Sequence, residues 1–356
     1  MKNVALIISG NVHWFPYLRR YLQVIEHCGL TCTIFYWNRE NINESFPPFV
    51  KPIEFKKDDK TNNGSPFKIF KFLKYGSFLK KELSKTHFDR LIFLGTYSFI
   101  PAILYKILTK KYSKKYWIDI RDLTYESFPL FYYMEKRVFY HSYMTVVSSD
   151  GFVKYLPKYN YGHVHNIDPS LKNHFDFSHN KTDKIRISYI GNISYFEEVK
   201  KLVDFFKNDG RFFMNFYGKN SNVIKDYCTK HRITNVSFKG PFRPEETISL
   251  YENTDVIFNA YGNKRKNLRV ALANKLYYSI RLNIPLLVSP NTYTSYLCRK
   301  NGIGIDFIQT STFKEDLISF VNSYRAKNTN VNFALWRSIV NEDNQTFSNL
   351  EVFLQN

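Results

Sequence analysis

Cysteine is scarce in this sequence, and its four cysteines form no recognisable pattern. The chain of 356 residues has no CxxC pair and no cysteine–histidine spacing typical of a zinc site. This excludes a disulfide-rich secreted domain and indicates reduced thiols in a cytosolic protein. The sequence also lacks a Ser–His–Asp order, HExxH, a P-loop, GxGxxG and DxD. The common nucleophilic, zinc-dependent and dinucleotide-binding classes therefore have no support.

Long hydrophobic runs are absent as well. The most apolar stretch, residues 91–107, is interrupted by Gly95, Thr96 and Pro101 and is too short to span a bilayer. The first residues, Asn3 to Ser9, predict a strand rather than the three regions of a signal peptide. We therefore expect a cytoplasmic protein.

Acidic residues are greatly outnumbered by basic ones. The 51 Lys and Arg against 31 Asp and Glu give a net charge of +20. Between Lys51 and Lys115 there are 16 basic and 5 acidic residues, so this region holds over half of the excess. Such a charge favours anionic partners.

What the sequence does contain is an alternation of strands and helices along almost its whole length. The predicted strands are VALIIS, TCTIFYW, RLIFLG, KYWIDI and YMTVVS, followed by IRISYIG, FFMNFYG, NVSFKG, DVIFNA and IPLLVS. Such alternation predicts parallel sheets with right-handed crossovers. A polar stretch after Asn166 separates the two series. We expect an α/β fold of two doubly wound, Rossmann-like domains that face a central cleft.

The domain boundaries follow from this division. We expect an N-terminal domain at residues 1–166, a linker at 167–184 and a C-terminal domain at 185–330. Residues 331–356 predict an amphipathic helix. By analogy with two-domain folds of this kind, we expect that helix to cross back to the first domain.

The segment from Tyr251 to Ser289 is the most informative. It predicts a strand, a basic loop, a helix and a strand. We expect Lys275 and Tyr278 to point outward from the helix, above an apolar strip. A cationic loop before a helix at the carboxyl end of a strand is typical of phosphate-binding sites. Arg269 lies in this loop and, with Lys275, could neutralise a leaving diphosphate. The alternative is a solvated helix face.

A second candidate site follows the strand IRISYIG, where Gly191 and Asn192 open a helix. Glycine allows close backbone approach, and amides at a helix start can hold a diphosphate. A simple turn is the alternative.

The first half offers two candidates for acid–base chemistry. Asp122 ends the strand YWIDIRDL, where a carboxylate can face the cleft, although an ion pair of Arg121 with a neighbouring carboxylate is an equally good explanation. His13, in the loop after the first strand, could position or deprotonate a hydroxyl, or could simply be exposed.

The helix Phe67–Lys85 carries a row of lysines with interleaved aromatic residues on one face, including Phe67 and Phe78. Such a face is typical of a helix that lies on anionic lipid. A solvated basic face is the alternative. Nucleic acid is not favoured, because no recognised module accompanies the charge.

Taken together, these residues resemble the glycosyltransferases of the GT-B fold, and in particular the family 4 type that builds capsule, exopolysaccharide or O-antigen units. The resemblance covers nearly the whole chain. It is carried by YWIDIRDLTYESF, ISYIGNISYFEEV, FYGKN, FKGPFRPEETISLYENTDVIF and, most specifically, NKLYYSIRLNIPLLVS.

The resemblance implies a retaining, metal-independent hexosyltransferase at the inner face of the cell membrane. It would bind a nucleotide-sugar in the second domain and a polyprenyl-diphosphate-linked saccharide in the first, with no cofactor or metal, in agreement with the missing DxD. The implied catalytic residues are Lys275, Arg269, Asp122 and His13. The implied donor-binding residues are Gly191, Asn192, Gly218, Lys219, Phe242, Arg243, Asn274, Lys275 and Tyr278.

The chain departs from the family pattern at two places. No basic pair follows Gly191, and Tyr278 stands where a ribose-binding Glu is usual. Lys275 with Arg269 or Lys266 would then supply the missing charge. Two other functions stay open: a non-catalytic partner protein that kept the GT-B fold, and another sugar-nucleotide enzyme such as a 2-epimerase.

Overall fold

The computed structural model describes residues 2–56, 68–104, 108, 110–168, 170, 171, 183–327 and 329–356. The chain forms two compact units. Unit 1 comprises Met1–His165 and Asn341–Asn356, and unit 2 comprises Asn166–Val340. The predicted linker at residues 167–184 lies for the most part outside the described residues.

Unit 1 is built around a parallel sheet of seven strands. The strands are β1 (Asn3–Ile8), β2 (Thr31–Asn38), β3 (Val50–Lys56), β4 (Arg90–Leu94), β5 (Tyr116–Ile120), β6 (Met144–Val147) and β7 (Gly162–His163). The helices are α1 (Leu18–His27), α2 (Lys68–Lys85), α3 (Thr96–Leu104) and α4 (Pro129–His141). The strand order is β3-β2-β1-β4-β5-β6-β7. It reverses between β1 and β4, and sheets of this kind bind ligands at the carboxyl ends of the strands beside such a reversal.

Strand β1 is the centre of the core of unit 1. Its last five residues are fully buried, as expected for a central parallel strand that is covered on both faces. Helix α1 packs on it through Leu18, Tyr21, Leu22 and Ile25, which recur at three- and four-residue intervals.

Strand β3 is an element that the sequence pattern did not predict, as is the two-residue strand β7. It contains Pro52, which pairs in register with Ile34 of β2. Proline cannot donate to a β-ladder and is therefore confined to edge strands. Because β3 is the edge strand of this sheet, Pro52 is tolerated there.

Unit 2 is built around a parallel sheet of six strands. The strands are β8 (Ile185–Ile190), β9 (Phe212–Tyr217), β10 (Val236–Lys239), β11 (Val256–Asn259), β12 (Leu286–Val288) and β13 (Gly304–Asp306). The helices are α5 (Phe196–Phe206), α6 (Ser221–Lys230), α7 (Thr247–Glu252), α8 (Lys266–Val270), α9 (Asn274–Leu282), α10 (Tyr293–Asn301) and α11 (Phe313–Lys327). The order β10-β9-β8-β11-β12-β13 reverses between β8 and β11. The ligand-binding crevice of unit 2 is therefore expected at the carboxyl ends of these two strands.

A buried ion pair joins the two strands at this reversal. The guanidinium of Arg186 in β8 makes two hydrogen bonds with the carboxylate of Asp255, of 2.9 and 3.0 Å. The backbone N–H of Arg186 donates to the same carboxylate at 2.8 Å. Such a bidentate pair fixes geometry as well as charge, so it sets the positions of β8 and β11.

The last helix, α12 (Thr329–Gln355), contributes residues to both units. In its part from Asn341 onward, Phe347, Leu350 and Phe353 are buried in the core of unit 1. The Phe347 ring lies 5.4 Å from the ring of Tyr21, centroid to centroid. This end of α12 therefore packs against α1.

Helix α2 differs from the prediction in one respect. Phe67 lies outside the described residues, and Phe78, predicted to be an exposed aromatic residue, packs against Phe55 and Tyr75 at ring-centroid distances of 5.1 and 6.1 Å. The prediction was wrong for Phe78 because β3, which it did not contain, covers that side of the helix. Phe70 is exposed instead. In the described part of the chain, every helix is too short or too polar to cross a membrane.

Candidate active site

Two glycines bring the loops after β8 and β9 into contact. Gly191 and Gly218 have φ angles of +121° and +131°, which side chains of L-residues rarely tolerate. A Cβ atom on Gly218 would overlap the carbonyl oxygen of Gly191. The close approach of the two loops therefore requires glycine at position 218.

Side chains and backbone groups lock these two loops together. The N–H of Ile193 donates to the carbonyl of Lys219 at 3.0 Å, and the amide of Asn220 donates to the side-chain oxygen of Asn192 at 3.0 Å. The Lys219 side chain is exposed at the rim of this pair of loops. The structure thus brings Gly191, Asn192, Gly218 and Lys219 together at the ends of β8 and β9.

Lys275 lies in the first turn of α9, and its side chain extends to the loop that contains Gly191. A Cβ atom built on Gly191 would lie 3.8 Å from its side-chain nitrogen. The prediction that Lys275 points outward was wrong, because the residue is only 8% exposed. The physical reason is a break in the predicted helix: the backbone of Ala271 and Ala273 is extended, so α8 and α9 are separate. Lys275 is therefore a first-turn residue that faces the sheet.

The partners of the Lys275 amine are aromatic. Its nitrogen donates to the Tyr261 hydroxyl at 2.6 Å and lies 4.3 Å from the centroid of the Tyr189 ring. Among the described residues, no carboxylate forms an ion pair with it. Burial lowers the pKa of this amine to about 7. A buried cation without a counter-ion is costly, so the arrangement is suited to receive an anion.

Tyr261, Tyr189 and Tyr195 form the wall behind this amine. The Tyr189 hydroxyl donates to the carbonyl of Asn192 at 3.0 Å, and the Tyr195 ring stacks on Tyr261 at 4.7 Å. Burial raises the pKa of Tyr261 well above its ordinary value, so its phenol stays protonated. Sequence reasoning missed these tyrosines. Tyr261 follows the strand DVIFNA by one residue, and this position at the reversal of the sheet could have indicated it.

A carboxylate that the sequence reasoning did not assign to the site lies at the end of the same strand. Gly262 has a φ of +84°, and a Cβ atom built on it would lie 3.2 Å from a carboxylate oxygen of Glu198. Glu198 also pairs with Lys201 at 2.8 Å. Its position in the first turn of α5 was visible in the sequence, but its proximity to Gly262 depends on the tertiary fold.

Tyr278 is buried and does not itself present a group to solvent. Its ring stacks on Tyr251 at 4.6 Å, and its hydroxyl donates to the carboxylate of Asp168 at 2.6 Å. Burial, together with the Asp168 carboxylate, raises the pKa of Tyr278. Ser170 donates to the other oxygen of Asp168 at 2.7 Å. A carboxylate thus lies beside Tyr278, contributed by another part of unit 2.

The other predicted donor-binding residues lie at the ends of neighbouring elements. Arg269 is exposed in α8, and Asn274 is exposed as the first residue of α9, where the positive end of the helix dipole lies. Phe242 packs against the core cluster that contains Tyr278. The exposed Arg243 precedes a short 3-10 turn, and its N–H donates to Glu246 at 2.8 Å.

In unit 1, two carboxylates near the carboxyl end of β5 differ in burial: Asp119 is structural, and Asp122 is accessible. Asp119 is fully buried and accepts hydrogen bonds from Arg121 at 2.7 Å and Tyr21 at 2.9 Å. Asp122 is exposed as a residue, yet crowding by protein atoms and the charge of Glu126 raise the pKa of its carboxyl to about 6, against the opposing effect of Arg121. Of the two, only Asp122 is placed to exchange a proton with a ligand.

His13 lies elsewhere in unit 1. Its ring is exposed and faces Glu40 at 3.2 Å and Glu44 at 3.9 Å. No described contact joins His13 with Asp122. The loop is organised instead by Asn11, which is fully buried and donates to Asn38 at 2.8 Å.

In the portion of the chain that the structure describes, no three His, Cys, Asp or Glu side chains converge in a way that could hold a metal ion. Metal independence stays a prediction from the sequence.

No protein-family model matches the sequence. No curated protein sequence matches it either. Solved structures do resemble its fold. Sucrose-phosphate synthase from Thermosynechococcus elongatus aligns with a TM-score of 0.69 at 12% identity, over 98% of this chain and 99% of that one. WaaG, a glycosyltransferase involved in lipopolysaccharide biosynthesis, aligns with a TM-score of 0.65 at 10% identity, over 97% and 98%.

A third similar structure, Anabaena HepE, was solved in complex with UDP and glucose. It aligns with a TM-score of 0.60 at 11% identity, over 98% of this chain and 99% of that one. These neighbours have the GT-B fold, and the similarity covers almost the whole chain in each case. The predicted class of two parallel-sheet α/β domains of GT-B type is therefore confirmed.

Proposed function

We propose that this protein is a glycosyltransferase that takes a sugar from a nucleotide-sugar. The observation that carries the proposal is the buried amine of Lys275, which lies beside Gly191 at the reversal of the unit 2 sheet with no described carboxylate partner. A site of this kind suits a diphosphate, because the ligand would supply the negative charge that the protein does not place beside Lys275. The GT-B fold supports the same conclusion.

The proposed chemistry is stabilisation of the leaving group. As the bond between the sugar and the diphosphate breaks, negative charge develops on the diphosphate oxygens. Lys275 would stabilise that charge in a low-dielectric site, with exposed Arg269 and the amino end of α9 adding positive potential. Because Gly191 and Gly218 have no side chains, a ligand can approach the backbone of these loops closely.

Unit 1 would bind the acceptor. Asp122 has a pKa of about 6, so its carboxylate can accept a proton from an acceptor hydroxyl near neutral pH. His13, which is exposed, is a second candidate for positioning that hydroxyl. The proposed acceptor is a polyprenyl-diphosphate-linked saccharide in the biosynthesis of a bacterial surface polysaccharide, and the proposed reaction retains anomeric configuration without a metal.

The proposed place of action is the cytoplasmic surface of the membrane. A lipid-linked acceptor requires the enzyme to work there, and the net charge of +20 favours an anionic surface. The exposed Lys74, Lys80 and Lys81 of α2 supply part of that charge.

The test is binding and turnover with a panel of UDP-, GDP- and TDP-sugars. Calorimetry measures binding of each nucleotide, and release of the free nucleotide diphosphate measures transfer or hydrolysis. We expect one nucleotide to bind and its sugar to be released in a Lys275-dependent way. Binding without any release, across acceptor extracts, would favour a non-catalytic GT-B protein, and binding of none would overturn the proposal.

A further inference from the structure

Helix α4 of unit 1 carries an exposed apolar surface that the proposed transfer reaction does not use. Five large hydrophobic side chains between residues 128 and 143 are exposed, with Leu130, Tyr140 and Tyr133 reaching 73%, 71% and 67%. We call this surface the α4 face; its residues are Phe128, Leu130, Tyr133, Tyr140 and Tyr143. Exposed apolar residues that cluster in this way mark interaction sites.

The spacing places the helical members of the α4 face on one side of α4. Leu130, Tyr133, Arg137 and Tyr140 recur at three- and four-residue intervals, so they lie in a row along the helix. The row covers nearly all of the 13 residues of α4, which is about 20 Å of helix. A flat partner that meets the whole length of the helix would contact every member.

The opposite side of α4 is firmly packed. Val138 and Phe139 are buried, and the Phe139 ring lies 6.0 Å from both Phe99 and Tyr161. The helix cannot turn the α4 face inward without losing these contacts. The exposed rings are therefore a fixed feature of unit 1.

The exposed charged residues of α4 are all basic. Lys136 and Arg137 are exposed beside the α4 face, and the Lys114 nitrogen lies 5.5 Å from the centroid of the Tyr140 ring. The one acidic residue of α4, Glu135, is buried. Burial and the charge of Glu126 raise the pKa of Glu135 to about 9, so it is neutral at physiological pH. The helix thus shows cations and no anion to its surroundings.

The α4 face begins near the predicted acceptor residue of unit 1. Tyr125, three residues after Asp122, contacts the ring of Phe128 at 6.3 Å and that of Tyr97 at 6.4 Å. Tyr97 lies in the first turn of α3, just after β4. Aromatic contacts therefore run from the carboxyl end of the unit 1 sheet to the start of the α4 face.

We propose that the α4 face docks unit 1 on an anionic phospholipid bilayer. Tyrosine, phenylalanine and leucine side chains would enter the headgroup region, where aromatic rings are favoured, and Lys136, Arg137 and Lys114 would meet lipid phosphates. A helix with these two properties along one side lies in the plane of the membrane. The proposal rests on the proposed function only in that a lipid-linked acceptor requires a bilayer contact.

Vesicle sedimentation with the full chain tests this docking. The vesicles contain phosphatidylcholine with about 30 mol% phosphatidylglycerol, or phosphatidylcholine alone, each at low and high salt. We expect binding to the anionic vesicles only, weakened by salt. The variant Leu130→Ser/Tyr133→Ser/Tyr140→Ser and the variant Lys136→Glu/Arg137→Glu should each lower the partition coefficient by roughly tenfold or more.

A matched control alters exposed hydrophobic residues of unit 2. Val223→Ser/Tyr296→Ser/Ile308→Ser removes side chains that are 42%, 50% and 49% exposed and should leave vesicle binding unchanged. Thermal unfolding of all variants reports folding, and nucleotide binding, measured by calorimetry, separates this proposal from the proposed function. Tyr140→Trp supplies a direct probe, and its fluorescence should shift to shorter wavelength with anionic vesicles.

Three results would overturn the proposal. The first is undiminished vesicle binding by the folded α4 variants, or its loss only when Lys74, Lys80 and Lys81 of α2 are reversed in charge. The second is equal binding to neutral and anionic vesicles, or to neither. The third is a concentration-dependent dimer in light scattering that the triple serine variant abolishes, since the α4 face would then join two copies of the chain.

Discussion

The side-chain nitrogen of Lys275 donates a hydrogen bond of 2.6 Å to the hydroxyl of Tyr261. Lysine and tyrosine belong to different elements, the start of α9 and the loop after β11, and the loop after β8 meets them at Gly191. Three elements thus converge on one amine. Because burial sets the pKa of this amine, its charge responds directly to any anion that binds beside it.

Replacing Lys275 should separate stability from function. We expect Lys275→Met to reduce nucleotide-diphosphate affinity and sugar transfer by at least about 100-fold, because the charge that faces the leaving group is lost. The same variant should be more stable by about 1–2 kcal/mol, since a buried amine without a counter-ion is replaced by an apolar chain of similar length. Calorimetry, product release and thermal unfolding measure these effects.

The gain in stability should depend on pH. The pKa of Lys275 is about 7 in the folded protein against an ordinary 10.5, so burial opposes folding fully below pH 7 and ceases to do so as pH rises through 10.5. Lys230→Met, at the exposed end of α6, is the control and should change neither property. Normal transfer by a folded Lys275→Met variant would contradict the assignment.

Donor binding should take up a proton. In the free protein the amine of Lys275 loses its charge as pH rises through about 7, and a bound diphosphate raises that pKa because it stabilises the charged form. Affinity should therefore fall as pH rises above 7, by up to about tenfold per unit. Calorimetry in buffers of different ionisation enthalpy measures the proton uptake, and a binding enthalpy that is the same in all buffers at pH 8 would refute it.

Adding a methyl group at Gly218 should disrupt the paired loops. A Cβ there would overlap the carbonyl oxygen of Gly191, and the φ of +131° is itself unfavourable for alanine. We expect Gly218→Ala to cost about 2–4 kcal/mol of stability and to weaken nucleotide binding. Gly210→Ala is the matched control, since nothing lies within 4 Å of a Cβ at that position. Equal unfolding temperatures for the two variants would show that the loops can move apart freely.

The two aspartates at the end of β5 should behave differently. Asp122→Asn should leave stability nearly unchanged and reduce transfer, with loss of the rate dependence near pH 6 that the carboxyl group confers. Asp119→Asn should cost about 3–5 kcal/mol, because the buried charge of Arg121 would lose the carboxylate with which it pairs. Chemical denaturation and pH–rate profiles distinguish them. A stable, fully active Asp122→Asn variant would exclude Asp122 from the chemistry.

Much of the fold was predictable because parallel strands have a strong sequence pattern. Strands such as β1 and β8 are covered on both faces, so they appear as continuous apolar runs between amphipathic helices. Strand β3 was missed because it contains a proline and several exposed residues, as edge strands do. Its absence from the prediction also misplaced Phe78, since Phe55 of β3 packs against that ring.

The candidate site was predictable only in part. The resemblance brought Gly191, Gly218 and Lys275 to one place, but not the burial of the lysine, which depends on the extended segment Ala271–Ala273. Tyr189 and Glu198 were missed because their roles depend on contacts with residues far along the chain. Alternation within a strand tells which face a side chain occupies, but it does not tell what lies opposite.

The ion pair between Arg186 and Asp255 also has a consequence during synthesis. The two residues are 69 positions apart in the chain, and they pair only when β11 adds to β8. At a translation rate of about 5–20 residues per second, several seconds pass between the synthesis of Arg186 and that of Asp255. During that interval the rest of β8, then β9 and β10, are synthesised, while the reversal of the sheet does not yet exist. The crevice at the reversal of the unit 2 sheet is therefore completed late, and a chain released before Asp255 has no such crevice.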